Sequence, residues 1–170
     1  MGSLTNYQIE DVAKHYHVPL IDCCMKDELP HSLKNGYYII NLESTTQGNG
    51  THWTALIVQP NIAVFFDSFG APPSTEIVNF VKKKKEMHLA FNNEIIQDLN
   101  SENCGYFCLF LCWFVEKNKH AKSLIRLVDD FTHLFSDDTK NNDGILRQLF
   151  RSIPDKSPPK PILKLLRKKH

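Results

Sequence analysis

The chain has 170 residues, 42% of them hydrophobic and 11% aromatic, with a formal net charge of +1. That balance fits one globular domain with a real core and excludes a disordered chain. Five cysteines, an odd number with three in one apolar run, argue against a disulfide framework. No basic, apolar leader opens the sequence, so secretion is not expected. The apolar run from Cys104 to Val115 is shorter than the roughly 20 residues of a membrane span.

In chain order, Thr5 and Gln8 have the spacing of a capping box, with Ile9, Val12, Ala13 and Tyr16 on one helical face behind it. Tyr37 to Leu42 reads as a strand and Glu43 to Gly50 as a polar loop. Two strand-like runs follow, His52 to Val58 and Ile62 to Asp67, with Gln59-Pro60-Asn61 as the turn between them. Ala71-Pro72-Pro73 is a rigid break, and Ser74 opens a helix carrying Ile77, Val78 and Val81. Lys82 to Lys85 read as a solvated helix end, favourable near the negative end of the helix dipole. Phe91 to Gln97 is read as a strand that delivers Gln97. Cys104 to Val115 is a buried central helix, and further helices are expected near 121–135 and 143–152, the second begun by Asn142 or Asp143. The protein domain is drawn at 1–153. Residues 154–170 form a tail in which Ser157-Pro158-Pro159-Lys160-Pro161 is an extended linker and Ile162 to Leu166 a short apolar patch between basic residues.

Charge is unevenly shared. Residues 1–150 carry 13 Lys/Arg against 18 Asp/Glu, a net of −5, whereas residues 151–170 carry seven basic residues against Asp155, a net of +6. A basic tail on an acidic body points to an anionic partner.

The turn makes a geometric test possible. If Pro60-Asn61 is a two-residue hairpin loop, Gln59 pairs with Ile62 and Thr54 faces Asp67. His52 then lies two residues further along the same strand and on the same face. His52 and Asp67 become diagonal neighbours about 7–8 Å apart at the backbone, within side-chain reach. A bulge or a longer turn would shift this register by one.

Cys104 heads an apolar helix, where the positive end of the dipole, roughly half a charge, favours thiolate over thiol. The free N–H groups there can also hold a developing oxyanion. With a His as base, an acid to orient it and Gln97 as a further donor, the parts of a cysteine hydrolase are present.

Gly50-Thr51-His52-Trp53-Thr54-Ala55, then Phe65-Phe66-Asp67-Ser68-Phe69-Gly70, then Gln97 and Asn103-Cys104-Gly105-Tyr106-Phe107-Cys108 together resemble the adenovirus maturation proteases and, more broadly, the ubiquitin-like-protein proteases. The resemblance spans roughly residues 4–115. It implies an α+β, papain-like or adenain-like fold, with a central mixed sheet packed between helices and the nucleophile at the N-terminus of a buried helix. By it His52 is the base, Asp67 its partner, Cys104 the nucleophile, Gln97 the oxyanion donor, and Trp53 and Gly105 shape a narrow substrate channel. The adenoviral enzymes use Glu where this chain has Asp67, and the ubiquitin-like-protein proteases use Asp. Neither a metal nor an organic cofactor is implied.

The same resemblance implies an endopeptidase cutting viral capsid or core precursors at Gly-containing sites during virion maturation. The brevity of the chain suits a virophage, a related small DNA virus or a virus-like transposon. The place of action is then the virion and the host-cell interior, with no membrane partner, and the chain is expected to be a monomer. Lys160, Lys164, Arg167, Lys168 and Lys169 would hold DNA. Two alternatives stay open: a protease of ubiquitin-like modifiers, and a non-proteolytic acyltransferase or interaction module on the same scaffold.

Other residues have plainer readings. Cys108 and Cys112 continue the Cys104 face at i+4 and i+8, but zinc needs a second pair of ligands, so core packing is the better account. Cys23-Cys24 reads as packing or a surface thiol. Asn49-Gly50-Thr51 matches a glycosylation acceptor, which without a leader reads as chance.

Overall fold

Three nearly unbroken apolar runs build the middle of a five-stranded sheet. In the computed structural model, which describes residues 2–48 and 52–153, Gly36–Asn41 (β2), Trp53–Gln59 (β3) and Ile62–Phe66 (β4) pair antiparallel in sequence order. Leu20–Met25 (β1) adds parallel to β2, and His88–Phe91 (β5) adds parallel to β4, giving the order β1-β2-β3-β4-β5. The fold is α+β with a mixed sheet.

Period-two alternation sends the strand side chains to two apolar layers. Tyr37 and Ile39 of β2, Ala55 and Ile57 of β3, and Val64 and Phe66 of β4 face one layer. That layer is filled by helices Asn6–His15 (α1), Cys104–Asn118 (α3), Leu124–Thr132 (α4) and Asn142–Arg151 (α5). Tyr38, Ile40, Leu56, Val58, Ala63 and Phe65 face the other, covered by helix Thr75–Lys82 (α2) through Ile77, Phe80 and Val81. β2 to β4 are therefore buried on both faces, which is why they read as nearly unbroken apolar runs. α3 is apolar nearly all round and is the central helix: Cys104 to Cys112 are all buried, as is Val115.

The caps and turns follow local chemistry. Thr5 and Gln8 form a reciprocal capping box at α1. Pro60-Asn61 is a two-residue loop in which Asn61 takes φ +68°, a left-handed conformation that Asn tolerates. Gln59 pairs with Ile62 and Ala55 with Phe66, the register expected from the turn. Thr54 lies in β3 on the α2 face and bonds Ile40 O through its hydroxyl at 2.8 Å.

Several expectations need correction. Phe91 to Gln97 is not a strand: β5 is His88–Phe91 and Gln97 sits in the loop that follows. The Asn92 side chain ends the strand, because it bonds the Asp67 backbone in place of a continuing ladder. β1, whose half-buried pattern with two adjacent cysteines shows no clean alternation, has no counterpart among the expected strands. In α2 the third inward residue is Phe80 rather than Val78. The helix expected near 121–135 is α4, shorter at Leu124–Thr132 and capped by the Ser123 hydroxyl. α5 starts at Asn142, one of the two residues expected to begin it, after a 3-10 turn at Thr139–Asn141. The Asn49–Thr51 stretch, the linker at 157–161, the apolar patch at 162–166 and the basic residues Lys160, Lys164, Arg167, Lys168 and Lys169 lie outside the described residues.

Candidate active site

The site forms where the β3–β4 hairpin runs out. Paired residues stop at Ala55 and Phe66, so His52 and Asp67 each lie just beyond the ladder and are free to turn toward α3. Asp67 is 1% exposed. Its Oδ1 accepts a hydrogen bond from His52 Nε2 at 2.7 Å and one from the Phe69 N–H at 2.8 Å. The sheet's open end and the turn after β4 thus aim the carboxylate at one imidazole nitrogen. Cys104 lies close enough to His52 to act on its charge. The Phe69 ring lies tilted against the imidazole, centroids 4.9 Å apart.

Cys104 is the first residue of α3 and is 4% exposed. Its Sγ accepts a hydrogen bond from the Trp53 N–H at 3.4 Å, and Cys108, one turn along α3, donates its S–H to Trp53 O at 3.4 Å. Leu42 N–H donates to His52 O across the β2–β3 ladder, so by antiparallel alternation the N–H and C=O of Trp53 point away from β2. β4 no longer pairs there. Two thiols of α3 take the place of the missing strand and lock Cys104 to the start of β3.

His52 is half-enclosed, its side chain 17% exposed. Burial alone would lower its pKa, but the hydrogen bonds to Asp67 and Cys104 and the charges on both outweigh that and push it up from 6.5 to about 9. At neutral pH the ring therefore carries its proton beside the sulfur. Burial holds Cys108 well above the ordinary thiol range, as it does Cys112, so both remain neutral thiols. All five cysteines are free and buried.

The turn after β4 is built for this job. Gly70 has φ +69°, and a Cβ there would lie 2.7 Å from Asn93 O; only glycine fits both the conformation and the space. Gly70 N–H donates to Asp67 O at 2.8 Å. Asn92 Nδ2 donates to Asp67 O at 2.8 Å, and its Oδ1 accepts the Asp67 N–H at 2.9 Å. The backbone on both sides of the carboxylate is thereby fixed.

Gln97 is 1% exposed and is brought to the residue after Asp67. Its N–H and that of Ile96 donate to Ser68 O at 3.1 and 2.9 Å. Its Nε2 donates to Ser101 O at 2.7 Å, and its Oε1 accepts from Ser68 Oγ at 2.5 Å. Trp53 is buried and donates its indole N–H to Leu4 O at 2.8 Å. Gly105 lies beneath these two residues: a Cβ there would sit 3.3 Å from Leu4 Cδ1 and 3.4 Å from Trp53 Cδ1. Its lack of a side chain lets the N-terminal segment close over α3. Beside Trp53 opens a cavity of about 450 Å3 lined by Leu4, Cys23, Cys24, Met25 and Glu28.

Sequence reasoning missed Ser68, Asn92 and the supporting part of Cys108. Ser68 and Asn92 are fully and nearly fully buried polar residues. The only sequence signal for either is a small polar residue directly after the candidate acid, and an Asn just beyond an apolar run. Among the described residues no group of three or more His, Cys, Asp or Glu is gathered to hold a metal ion, and no helix is long and apolar enough to cross a membrane.

No protein-family model and no curated protein matches the chain. Its structure is similar to that of the ASFV pS273R protease, at 17% identity and a TM-score of 0.49 over 79% of this chain and 68% of that one. It is also similar to the central domain of the uncharacterized Lpg1148 protein from Legionella pneumophila, at 12% identity and a TM-score of 0.44 over 89% and 96% of the two chains. A third similar structure is ChlaDub1 from Chlamydia trachomatis, at 16% identity and a TM-score of 0.39 over 93% and 83%.

Proposed function

We propose that the chain is a cysteine endopeptidase in which Cys104 attacks, His52 moves protons and Asp67 orients His52. The observation that carries this reading is one imidazole held at 2.7 Å by a buried carboxylate, with a thiol at a helix N-terminus close enough to raise the imidazole's pKa. The thiolate adds to a peptide carbonyl, and the C=O π pair moves onto oxygen. That oxyanion is met by the N–H groups at the head of α3 and by the Gln97 amide. The intermediate collapses with loss of the amine, which takes the His52 proton. A water, deprotonated by His52, then adds to the thioester and releases the carboxylate and Cys104.

On this reading the substrate is a polypeptide cut at small, Gly-containing sequences, as the resemblance implies for a narrow channel shaped by Trp53. The resemblance of the motifs to adenoviral maturation proteases supports viral capsid or core precursors as substrates, with action in the virion and host-cell interior. The monomer is the working unit, and the basic tail from Lys160 to Lys169 holds DNA through phosphate contacts. A second reading, removal of ubiquitin-like modifiers, is favoured by one observation: the acid bonded to His52 is Asp67 rather than Glu.

The test is alkylation mapping followed by two substrates. Iodoacetamide near neutral pH should label Cys104 before the other four thiols, and Cys104→Ala should lose hydrolysis while keeping its fold. Full activity in Cys104→Ala would overturn the assignment. A capsid-precursor peptide and a ubiquitin-like C-terminal reporter, assayed side by side, then decide the substrate class. Truncation after Ile153 should weaken DNA binding at low salt far more than cleavage of a short peptide; equal DNA affinity with and without the tail would remove the DNA proposal.

A further inference from the structure

Gln97 can serve an oxyanion only if its amide presents nitrogen, not oxygen, and a glutamine amide can turn over. Two contacts decide which way it faces. Ser101 O, a carbonyl that can only accept, lies 2.7 Å from Nε2, so the nitrogen must be on that side. Oε1 then meets Ser68 Oγ at 2.5 Å, and the hydroxyl has to donate. Ser68 is wholly buried, so no water competes for this bond. The same residue's carbonyl accepts the Ile96 and Gln97 N–H groups, tying the Gln97 backbone to the turn that carries Asp67. On the far side, Ser101 Oγ donates to Asp143 Oδ1 at 2.8 Å and accepts the Asn103 N–H at 3.2 Å, one residue before Cys104. Gln97 is thus bracketed between the acid's turn and the helix of Cys104, with one amide hydrogen committed to Ser101 and no protein acceptor on the second among the described residues.

We propose that Ser68 is a positioning residue: its hydroxyl fixes the Gln97 amide with oxygen inward and the free N–H outward, and so sets the oxyanion donor without touching substrate. This rests on the cysteine-peptidase reading. Without the hydroxyl, Oε1 is left buried with no donor. The amide then rotates and its second N–H leaves the position it must hold. Asp67, one residue away, keeps its own bonds to His52, Phe69 and Asn92, so the His52 imidazole stays held beside Cys104.

The experiment separates oxyanion stabilisation from thiol reactivity. A peptide aldehyde forms a C–S bond to Cys104 while the C=O π pair moves onto oxygen and no group leaves, so its affinity reads the oxyanion donors. Iodoacetamide alkylation of Cys104 makes no oxyanion and reads only the thiol and His52. Ser68→Ala is expected to lower kcat about 10-fold, part of the 10²–10³-fold effect of losing a whole donor, with KM nearly unchanged. It should weaken the aldehyde by a similar factor and leave the alkylation rate of Cys104 as it was. Ser68→Thr, which keeps the hydroxyl, should restore aldehyde affinity. In a Gln97→Ala background the Ser68→Ala change should add nothing, because it acts only through Gln97; a misfolding effect would add in full. Unchanged aldehyde affinity in Ser68→Ala, or an additive double mutant, would overturn the inference while leaving the peptidase reading standing. A wild-type chain that neither binds the aldehyde nor alkylates selectively at Cys104 would overturn both.

Discussion

His52 lies between a carboxylate and a thiol, and its charge is the quantity on which both stability and rate turn. Its pKa in the folded chain, about 9, exceeds the ordinary 6.5. The folded chain therefore keeps a proton between these values that the unfolded chain releases. The stabilisation is complete below about pH 6.5 and is lost as pH rises through about 9. Urea unfolding midpoints taken at pH 6.5 and above pH 9 should fall with rising pH, and by less in Asp67→Asn. The rate should follow the same group: activity declines on the basic side near pH 9 as the imidazolium is lost. Asp67→Asn removes the carboxylate that holds the proton, so that limb should move to lower pH. A basic limb that stayed in place in Asp67→Asn would show that Asp67 does not set the His52 charge. His52→Ala should cost nearly as much as losing Cys104, since the two act as a unit.

At the scale of elements, the site depends on two short connections rather than on any whole strand or helix. The first is the pair of thiols on α3 that grip Trp53. Cys108→Ala removes the S–H that Trp53 O receives and leaves that carbonyl buried and unpaired, a loss of about 1–3 kcal/mol. The measurement is urea denaturation of the variant, and cleavage should also slow because the start of β3 carries His52. Cys112 packs on the same helix without such a bond, so Cys112→Ala should cost stability and leave the rate per folded molecule unchanged. The second connection is the turn at Gly70. Gly70→Ala places a methyl against Asn93 O in a left-handed backbone and should destabilise by about 1–3 kcal/mol. Because Gly70 N–H bonds Asp67 O, the same change should lower the His52 pKa, readable as a shift of the basic limb.

At the scale of the molecule, a sheet buried on both faces joins two apolar layers, and the site sits at the end of that sheet where the layers meet α3. The larger layer closes around Phe110, Phe131 and Phe150, whose rings meet Trp113, Tyr16 and Tyr106 as well as one another. Ile153 still packs into it. A chain ending at Ile153 should therefore unfold at the same urea midpoint as the full chain. A midpoint lowered well beyond error would place part of the core in residues 154–170 and move the domain boundary.

Adjacency in sequence carried much of this. The hairpin register was legible because Pro60-Asn61 is a two-residue turn with a residue that accepts positive φ, and a turn fixes pairing by counting. α3 was legible because twelve successive apolar residues can only be interior. The capping box of α1 was legible because both partners lie within one turn. What the sequence could not reach are contacts between residues distant in the chain with no periodicity to announce them. The register placed His52 within reach of Asp67, but that one imidazole nitrogen meets the carboxylate at 2.7 Å comes from how packing turns the two side chains past the end of the β3–β4 ladder at Ala55 and Phe66. Gln97 arrives from a loop, not a strand, because Asn92 bonds backbone where β5 would continue. Ser68, Asn92 and Cys108 gain their meaning only from the partners that folding brings within hydrogen-bond reach. The sequence by itself determined which residues could carry the chemistry and which runs had to be buried. The tertiary structure alone decided how the groups face one another, since burial leaves each polar atom only the partners that packing supplies.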